Sequence, residues 1–297
     1  MEEKNMTALV SCFARSYHYK NNNFRIFNDN IAGIILGSEE YNFIACNMVN
    51  GIKFFNPDFN GDRENTLKWI VDNQLSPSVL GRSAFCEKSL FNAIKCGCKQ
   101  YLIFASGYDT FAYRNNITDL KVFEIDKNKM IEDKIRRLDK NKLDYSKVNF
   151  IKCDFTDDNW VDNIIDSSYD KNQISFSSLL GISYYLTKNE FASMIKYISS
   201  IVCDGSSIIF DYPTNYESKE AKLNKKLASG ANEEMKSKYS YKEIENILSE
   251  NGLLIYEHLN NEEITNTYFY DYNILNPSNR IIAPKGICYC LAVKKSL

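Results

Sequence analysis

Tyr101-Leu102-Ile103-Phe104-Ala105-Ser106-Gly107-Tyr108-Asp109-Thr110 is an apolar run that passes directly into a turn of small residues. The first five residues have the composition of a strand that is buried on both faces of a sheet. The small residues that follow let the backbone approach a ligand closely, and in doubly wound sheets this loop lies at the crevice where nucleotides bind. A single glycine in such a turn also occurs for turn geometry alone, so the loop is a weak signal by itself.

From Gln100 onward, short β-branched or aromatic runs alternate with stretches of helical periodicity, which is typical of a parallel sheet with crossover helices. The chain is therefore predicted to be an α/β protein with a doubly wound, mostly parallel sheet. Seven strands are predicted: Tyr101 to Ala105, Lys121 to Asp126, Val148 to Cys153, Ile174 to Leu179, Ser207 to Tyr212, Leu253 to His258, and Ile287 to Val293. Helices are predicted over Lys127 to Leu138 and Lys188 to Val202, the second with an apolar stripe that faces the core.

Residues 1–98 show helical periodicity without a convincing strand, and a helix is predicted from about Ser83 to Lys95. They form a helical N-terminal extension to a core that spans 99–297, and we expect a single domain over 1–297. Between the fifth and sixth strands, residues 214–238 are polar and nearly free of large apolar groups. This insertion is either a lid over the pocket or an exposed helix.

Acidic residues follow the next two predicted strands. Glu124 and Asp126 share one face of the second strand by alternation, and an ionised carboxylate at its end commonly accepts hydrogen bonds from ribose hydroxyls. Asp126 also suits a helix N-cap. After the third strand, Asp154 offers an acceptor for an amino group and Phe155 an aromatic ring that can lie along a purine. Together the three strand ends predict an adenosine pocket.

The composition excludes several other classes of protein. With 36 basic and 38 acidic side chains, the formal net charge of −2 provides no basic surplus for nucleic acid. The apolar runs are far shorter than the roughly 20 residues that span a membrane, and Met1-Glu2-Glu3-Lys4-Asn5 lacks a leader pattern, so a cytoplasmic protein is expected. The nine scattered cysteines favour reduced core thiols over disulfides or zinc.

Short motifs at the strand ends resemble a known family, the leucine carboxyl methyltransferases, which include bacterial relatives that methylate small molecules. The likeness extends from about residue 7 to 293 and is strongest over 81–187. It rests on Gly81-Arg82-Ser83, Gly107-Tyr108-Asp109-Thr110-Phe111-Ala112-Tyr113-Arg114, Phe123-Glu124-Ile125-Asp126, Asp154-Phe155, Gly181-Ile182-Ser183-Tyr184-Tyr185-Leu186-Thr187 and Phe210-Asp211-Tyr212. The resemblance implies a Rossmann-like methyltransferase fold and S-adenosylmethionine as the cofactor.

By this resemblance, Arg82 would bind the methionyl carboxylate in a bidentate pair. The other expected cofactor-binding residues are Gly107, Asp109, Glu124, Asp126, Asp154 and Phe155. Two positions depart from the family pattern, since Ala105 replaces the first glycine of the turn and Leu180 replaces a glutamate that meets the cofactor's amino group. Asp109 or Ser106 is a candidate substitute for that glutamate. These departures keep open a catalytically degenerate relative with weak or no cofactor binding.

The expected reaction is O-methylation of a small-molecule carboxylate or hydroxyl, and the likeness names no catalytic residue. The reactive methyl group requires mainly that an acceptor be aligned and water excluded. Tyr184, Tyr185, Tyr212 and His258 are candidates for the acceptor pocket, because all four lie at or after strand ends. A dinucleotide oxidoreductase is disfavoured, since the loop after the first strand lacks a Gly-x-Gly-x-x-Gly pattern. The oligomeric state stays open.

Overall fold

A seven-stranded, mostly parallel sheet forms the centre of the protein, in the order β3-β2-β1-β4-β5-β7-β6. The computed structural model describes residues 5–115, 117–157, 159–216 and 234–295. The strands are β1 (Gln100–Phe104), β2 (Lys121–Asp126), β3 (Val148–Lys152), β4 (Ser175–Leu179), β5 (Ser207–Pro213), β6 (Leu253–Leu259) and β7 (Ile287–Lys294). β7 pairs antiparallel with both of its neighbours, and the other pairs are parallel. The predicted fold is confirmed, and no strand end differs from the predicted one by more than one residue.

Helices pack on both faces of the sheet and form the predicted N-terminal extension. The helices before the sheet are α1 (Met6–Asn21), α2 (Ala32–Leu36), α3 (Ser38–Asn50), α4 (Ile52–Phe55), α5 (Arg63–Ile70) and α6 (Ser76–Lys95). Those after β1 are α7 (Phe111–Arg114), α8 (Asn128–Lys140), α9 (Asp162–Ile165), α10 (Lys188–Ile201), α11 (Tyr241–Ser249), α12 (Asn261–Ile264) and α13 (Tyr270–Leu275). Within the described ranges, none of the helices is both long and apolar enough to cross a membrane.

The helix before the first strand begins earlier than the sequence predicts. α5 and α6 are joined by a π-helical stretch, Val71–Leu75, so that helical backbone runs without a break from Arg63 to Lys95. Pro77 stands in the first turn of α6, where a missing amide hydrogen costs little, and therefore does not end the helix. This continuity places Arg82 within one uninterrupted helical segment that ends shortly before β1.

Three apolar clusters fix the layers around the sheet. One lies under α10, where the predicted apolar stripe is buried, and a second lies under α6. The third joins α1 to α8 through Phe13, Tyr108 and Leu138 and thus holds the N-terminal helices on the carboxyl edge of the sheet. The predicted insertion over 214–238 lies mostly outside the described residues, at 217–233. Beside that interval, Thr214 forms a parallel bridge with Tyr239.

Candidate functional site

A cavity of about 490 Å³ opens at the carboxyl edge of the sheet, where the strand order reverses between β1 and β4. We call it the switch-point cavity. Such reversals are the usual ligand sites of doubly wound folds, because the two neighbouring loops diverge to opposite faces there. The loops after β1, β2, β3 and β4 all contribute to its lining, and α1 and α6 close it from above. The predicted residues that line it are Arg82, Gly107, Asp109, Asp126, Asp154, Phe155 and Tyr185.

The loop after β1 forms the floor of this cavity with two residues in left-handed conformation, Ala105 at φ 51° and Gly107 at φ 48°. Ala105 thus adopts the backbone shape that a glycine would take, although it carries a methyl group. Between them, the Ser106 hydroxyl is buried and has no hydrogen-bond partner among the described residues. An unpaired buried hydroxyl in a cavity wall is a group that a polar ligand atom would satisfy.

The carboxylate of Asp126 holds the β1 loop in place. Its two oxygens accept the amide hydrogens of Gly107 at 2.8 Å and of Lys127 at 2.7 Å. Burial raises the pKa of Asp126, and these two amide hydrogen bonds oppose the rise. Because each carboxylate oxygen accepts more than one hydrogen bond, Asp126 retains acceptor capacity toward the cavity.

Asp154 and Phe155 stand at the far end of the cavity, after β3. The Asp154 carboxylate accepts hydrogen bonds from the Thr156 amide and hydroxyl and lies 3.2 Å from the Lys127 ammonium. Partial burial works against ionisation of Asp154, but these contacts outweigh it and lower its pKa. Phe155 packs edge-on against Trp160, with ring centroids 5.3 Å apart. An acceptor and an aromatic ring are therefore fixed side by side.

Arg82 enters the opposite end of the cavity from α6. Its guanidinium lies 3.4 Å from Asp211 and 3.5 Å from the Ser11 hydroxyl, both long contacts for a charged donor. Burial works against the charged form, yet the Asp211 carboxylate outweighs it and raises the pKa of Arg82. The same Asp211 side chain accepts the Gly181 amide at 2.6 Å and the Tyr184 hydroxyl at 2.9 Å. Asp211, which the sequence analysis left unassigned, is therefore the anchor of this end.

Glu124 is placed differently from the prediction. Its side chain is fully buried in an ion pair with Lys134 of α8, and the Tyr113 hydroxyl donates to it at 2.8 Å. It does not line the switch-point cavity, and burial raises its pKa. Strand alternation does put Glu124 and Asp126 on one face of β2. At Glu124, two residues before the end of the strand, α8 covers that face.

Tyr212 and His258 also lie away from the site, contrary to expectation. They bind one another, with 2.7 Å between the Tyr212 hydroxyl and His258 Nε2, and they do not line the switch-point cavity. For His258 the physical reason is strand order, since β6 is three strands from β4, or about 14 Å at normal strand spacing. Tyr212 lies on β5, next to β4, but its ring is buried in the apolar cluster under α10. Tyr184 and Tyr185 lie in the loop that follows β4. Tyr185 lines the switch-point cavity, and both residues line a second cavity beside it.

Asp109 and Leu180 complete the inner wall. Asp109 lines the cavity, and one of its carboxylate oxygens accepts the Phe111 amide hydrogen at 2.8 Å, which makes it in part a turn residue. Leu180 places an apolar side chain in this wall, at the position where the resemblance would put a glutamate. Ser106 is one of the two candidates to replace that glutamate, and its hydroxyl has no hydrogen-bond partner among the described residues.

A second cavity of about 720 Å³ adjoins the first, and its lining is mostly apolar. We call it the apolar cavity. Its walls come from α1, α3, α4, the π-helical stretch and α6, together with the loop after β4. The two cavities share five lining residues: Thr7, Ser11, Arg82, Gly181 and Tyr185. The sequence analysis missed this cavity, because its walls are separate amphipathic helices whose apolar residues look like ordinary core.

The switch-point cavity fits S-adenosylmethionine in size, polarity and order of groups. Its volume lies within the usual range of about 300–1,000 Å³ for sites of this class of ligand. A guanidinium stands at one end, an unpaired hydroxyl and carboxylate acceptors in the middle, and an acid with an aromatic ring at the other end. Among the described residues, no cluster of His, Cys, Asp and Glu has the arrangement of a metal site.

Comparison with known proteins agrees with this arrangement. Residues 8–199 match the family model for leucine carboxyl methyltransferase. A Bacillus subtilis (strain 168) protein, YktD, whose name places it among S-adenosyl-L-methionine-dependent methyltransferases, is 38% identical over 306 residues and covers 99% of each chain.

Two solved structures share the fold, each with a TM-score of 0.59. One, described as a methyltransferase from Thermobifida fusca YX, is 15% identical and covers 99% of this chain and 97% of its own. The other, a DUF574 family protein from Streptomyces avermitilis MA-4680, is 11% identical and covers 96% and 97%. The family match spans more than half of the chain and agrees with the relative from Bacillus. The chain therefore belongs to the leucine carboxyl methyltransferase family and is an S-adenosylmethionine-dependent methyltransferase.

Proposed function

We propose that this methyltransferase acts on an oxygen of a small molecule, a carboxylate or a hydroxyl. The observation that carries the proposal is the junction of the two cavities at Thr7, Ser11, Arg82, Gly181 and Tyr185. A cofactor in one cavity and an acceptor in the other would meet there. Holding two reactants side by side in this way converts a bimolecular reaction into an effectively unimolecular one.

The switch-point cavity is the proposed cofactor site. Arg82 binds the methionyl carboxylate, and the Ser106 hydroxyl accepts a hydrogen bond from the amino group in place of the missing glutamate. Asp126 accepts from the ribose hydroxyls with the capacity that its two amide hydrogen bonds leave free. Asp154 and Phe155 hold the adenine, one by accepting from its amino group and the other by contact along its face.

When bound, S-adenosylmethionine supplies a methyl group on a positively charged sulfur, an already activated donor. The protein's part is to orient the acceptor and to exclude water. α1 and α6, whose residues line the junction, are the elements placed for this part. A hydroxyl acceptor would also require a base to take its proton. Tyr184 is unsuited to that role, because burial first and the neighbouring Asp211 second raise its pKa well above the ordinary value. These features favour a carboxylate, which reacts in its ionised form.

Calorimetry with S-adenosylmethionine and S-adenosylhomocysteine tests the cofactor site. Arg82→Ala and Asp126→Ala should each weaken binding by at least tenfold, the loss expected for one charge-assisted hydrogen bond of about 1.5–3 kcal/mol. Arg25→Ala and Asp119→Ala are the matched controls, since both side chains are exposed and line neither cavity. Unaltered affinity in both cavity variants would show that the residue assignment is misplaced.

Absence of binding by the unmodified protein at millimolar cofactor would instead favour a degenerate relative. A screen of metabolite extracts with an isotopically labelled methyl donor then identifies the acceptor. Treatment of the labelled product with base distinguishes the two acceptor classes, because a carboxyl methyl ester releases labelled methanol whereas a methyl ether does not.

A further inference from the structure

One wall of the apolar cavity has a row of polar side chains, Gln74, Ser78 and Arg82, which we call the polar stripe. They stand four residues apart in the continuous helical segment from Arg63 to Lys95, and residues at this spacing lie on one face of a helix. Arg82 lies at the junction with the switch-point cavity. At the helical rise of about 1.5 Å per residue, Ser78 stands about 6 Å and Gln74 about 12 Å from Arg82 along the helix.

The amide of Gln74 and the hydroxyl of Ser78 are available to a ligand. Both side chains are half-buried, and neither has a hydrogen-bond partner among the described residues. The neutral polar residues that α1 and α3 add to the lining are placed differently, since Thr7 and Ser11 lie at the junction and Asn47 is exposed. A ligand that covers Gln74 and Ser78 has to replace their hydrogen bonds to water, because an amide or hydroxyl left unpaired is costly.

The backbone holds Gln74 in position. Gln74 belongs to the π-helical stretch, Val71–Leu75, and such turns are rare and occur frequently at functional sites. Asp72 of the same stretch is buried and accepts hydrogen bonds from Lys68 at 2.6 Å and from Asn279 at 2.9 Å. The Gln74 amide is therefore presented from a fixed element, as selective ligand sites require.

The remainder of the wall is mostly apolar and carries no charge. It includes Ile44, Met48, Phe54, Leu75 and Val79. Among the described residues that line this cavity, the arginine of the polar stripe is the only side chain with a formal charge. Beyond the junction, a charged ligand group would lose its hydration without an opposite charge to replace it.

We infer that the methyl acceptor has an elongated, uncharged body with one apolar side and with neutral hydrogen-bonding groups about 6 Å and about 12 Å from the junction. Ser78 and Gln74 are the specificity-determining residues that bind these groups, which are hydroxyls, ketones or neutral amides. The inference rests on the proposed function and adds the chemistry of the acceptor's body, whichever oxygen receives the methyl group. Purely hydrocarbon bodies and charged bodies fall outside this class.

The test compares three alcohols with the same ten-carbon chain by calorimetry, with S-adenosylhomocysteine at saturation so that the switch-point cavity is filled. Decan-1-ol has one hydroxyl, decane-1,5-diol has a second one near the level of Ser78, and decane-1,10-diol has it near the level of Gln74. A second hydroxyl weakens binding to a purely apolar site, because it loses its hydration there. Both diols should instead bind within threefold of decan-1-ol.

Two variants each remove one polar group with little change in side-chain size. Gln74→Met should weaken decane-1,10-diol at least fivefold relative to decan-1-ol, and Ser78→Ala should do the same for decane-1,5-diol, as expected for one neutral hydrogen bond. Each variant should leave the other diol within twofold. Gln173→Met is the matched control, because Gln173 is exposed just before β4, at the opposite edge of the sheet from the switch-point cavity.

A third variant checks where the alcohols bind. Met48→Trp adds a ring to the apolar wall at a residue that does not line the switch-point cavity. It should weaken all three alcohols at least tenfold and leave S-adenosylhomocysteine affinity within threefold.

The results separate this inference from the proposed function. If S-adenosylhomocysteine binds but the alcohols do not, or if Met48→Trp leaves their binding unchanged, the assigned acceptor body is wrong. The same conclusion follows if neither Gln74→Met nor Ser78→Ala changes the affinity of its diol relative to decan-1-ol. Failure of the unmodified protein to bind S-adenosylhomocysteine and S-adenosylmethionine overturns the proposed function itself.

Discussion

Replacing Ala105 with glycine should make the protein more stable. Ala105 has φ 51°, a left-handed conformation that costs an L-residue about 1–2 kcal/mol. Glycine removes that strain but loses about 0.5–1 kcal/mol through its greater freedom in the unfolded chain. The difference predicts a gain of about 0.5–1 kcal/mol, or a rise in Tm of about 1–3 °C for a chain of this size. Chemical denaturation and thermal melting both measure it.

Lys142 provides a matched control, because it has nearly the same φ, 54°, in an exposed turn far from the cavity. Lys142→Gly should give a similar gain, whereas Ala105→Val should destabilise the protein, since a branched side chain tolerates a positive φ poorly. If the β1 loop already has its binding shape, Ala105→Gly leaves cofactor affinity within threefold. A loss of stability in Ala105→Gly, or a tenfold change in affinity, would refute this account of the loop.

Two further perturbations probe the supports of the site. Gly181→Ala would place its Cβ 2.7 Å from a nitrogen of Arg82 at φ 70°, whereas Gly205→Ala at φ 82° has its nearest neighbouring atom at 3.6 Å. Both should lose about 1–2 kcal/mol of stability, but Gly181→Ala alone should weaken cofactor binding at least fivefold, and equal affinities would contradict the contact. Burial lowers the pKa of His18 to about 4, so the unfolded chain takes up the proton first as the pH falls below about 6.5. Stability should therefore drop by about 3 kcal/mol between pH 6.5 and pH 4, and His18→Gln should flatten that slope; an unchanged slope would assign the pH dependence to other groups.

The sequence predicted the strands and the grouping of their end residues correctly, because burial in a parallel sheet determines both the apolar pattern of a strand and the edge at which it ends. Buried parallel strands have continuous apolar runs, and their carboxyl ends must meet at one edge of the sheet. Gly107, Asp126 and Asp154 could therefore be grouped before any contact was known, and all three line one cavity. The capping box at Thr187, in which Glu190 returns a hydrogen bond, likewise marks the start of α10 in the sequence.

The order of the strands in the sheet and the contacts between distant segments could not be predicted from local sequence patterns. The last strand inserts between the fifth and sixth, and nothing in the individual strands indicates this, so His258 could not be placed. Glu124 was misplaced because its partner, Lys134, belongs to the next helix, and only the packing of that helix reveals a fully buried ion pair. Asp211 was given no role for a similar reason, since its role depends on groups that two separate segments, α6 and the loop after β4, bring to it.

The N-terminal extension is best understood through α1, which forms a wall of both cavities. Thr7 and Ser11, four residues apart, lie on the stripe that faces the junction, while Met6 and Val10 face the apolar cavity. Arg15 fixes the register of this helix by donating to Asp29 at 2.8 Å and to the Tyr108 carbonyl of the β1 loop at 2.6 Å. A shift of α1 would therefore disturb the cofactor loop and the acceptor wall together. On the ground of this shared wall, we propose that the helical extension and the sheet act as one functional domain.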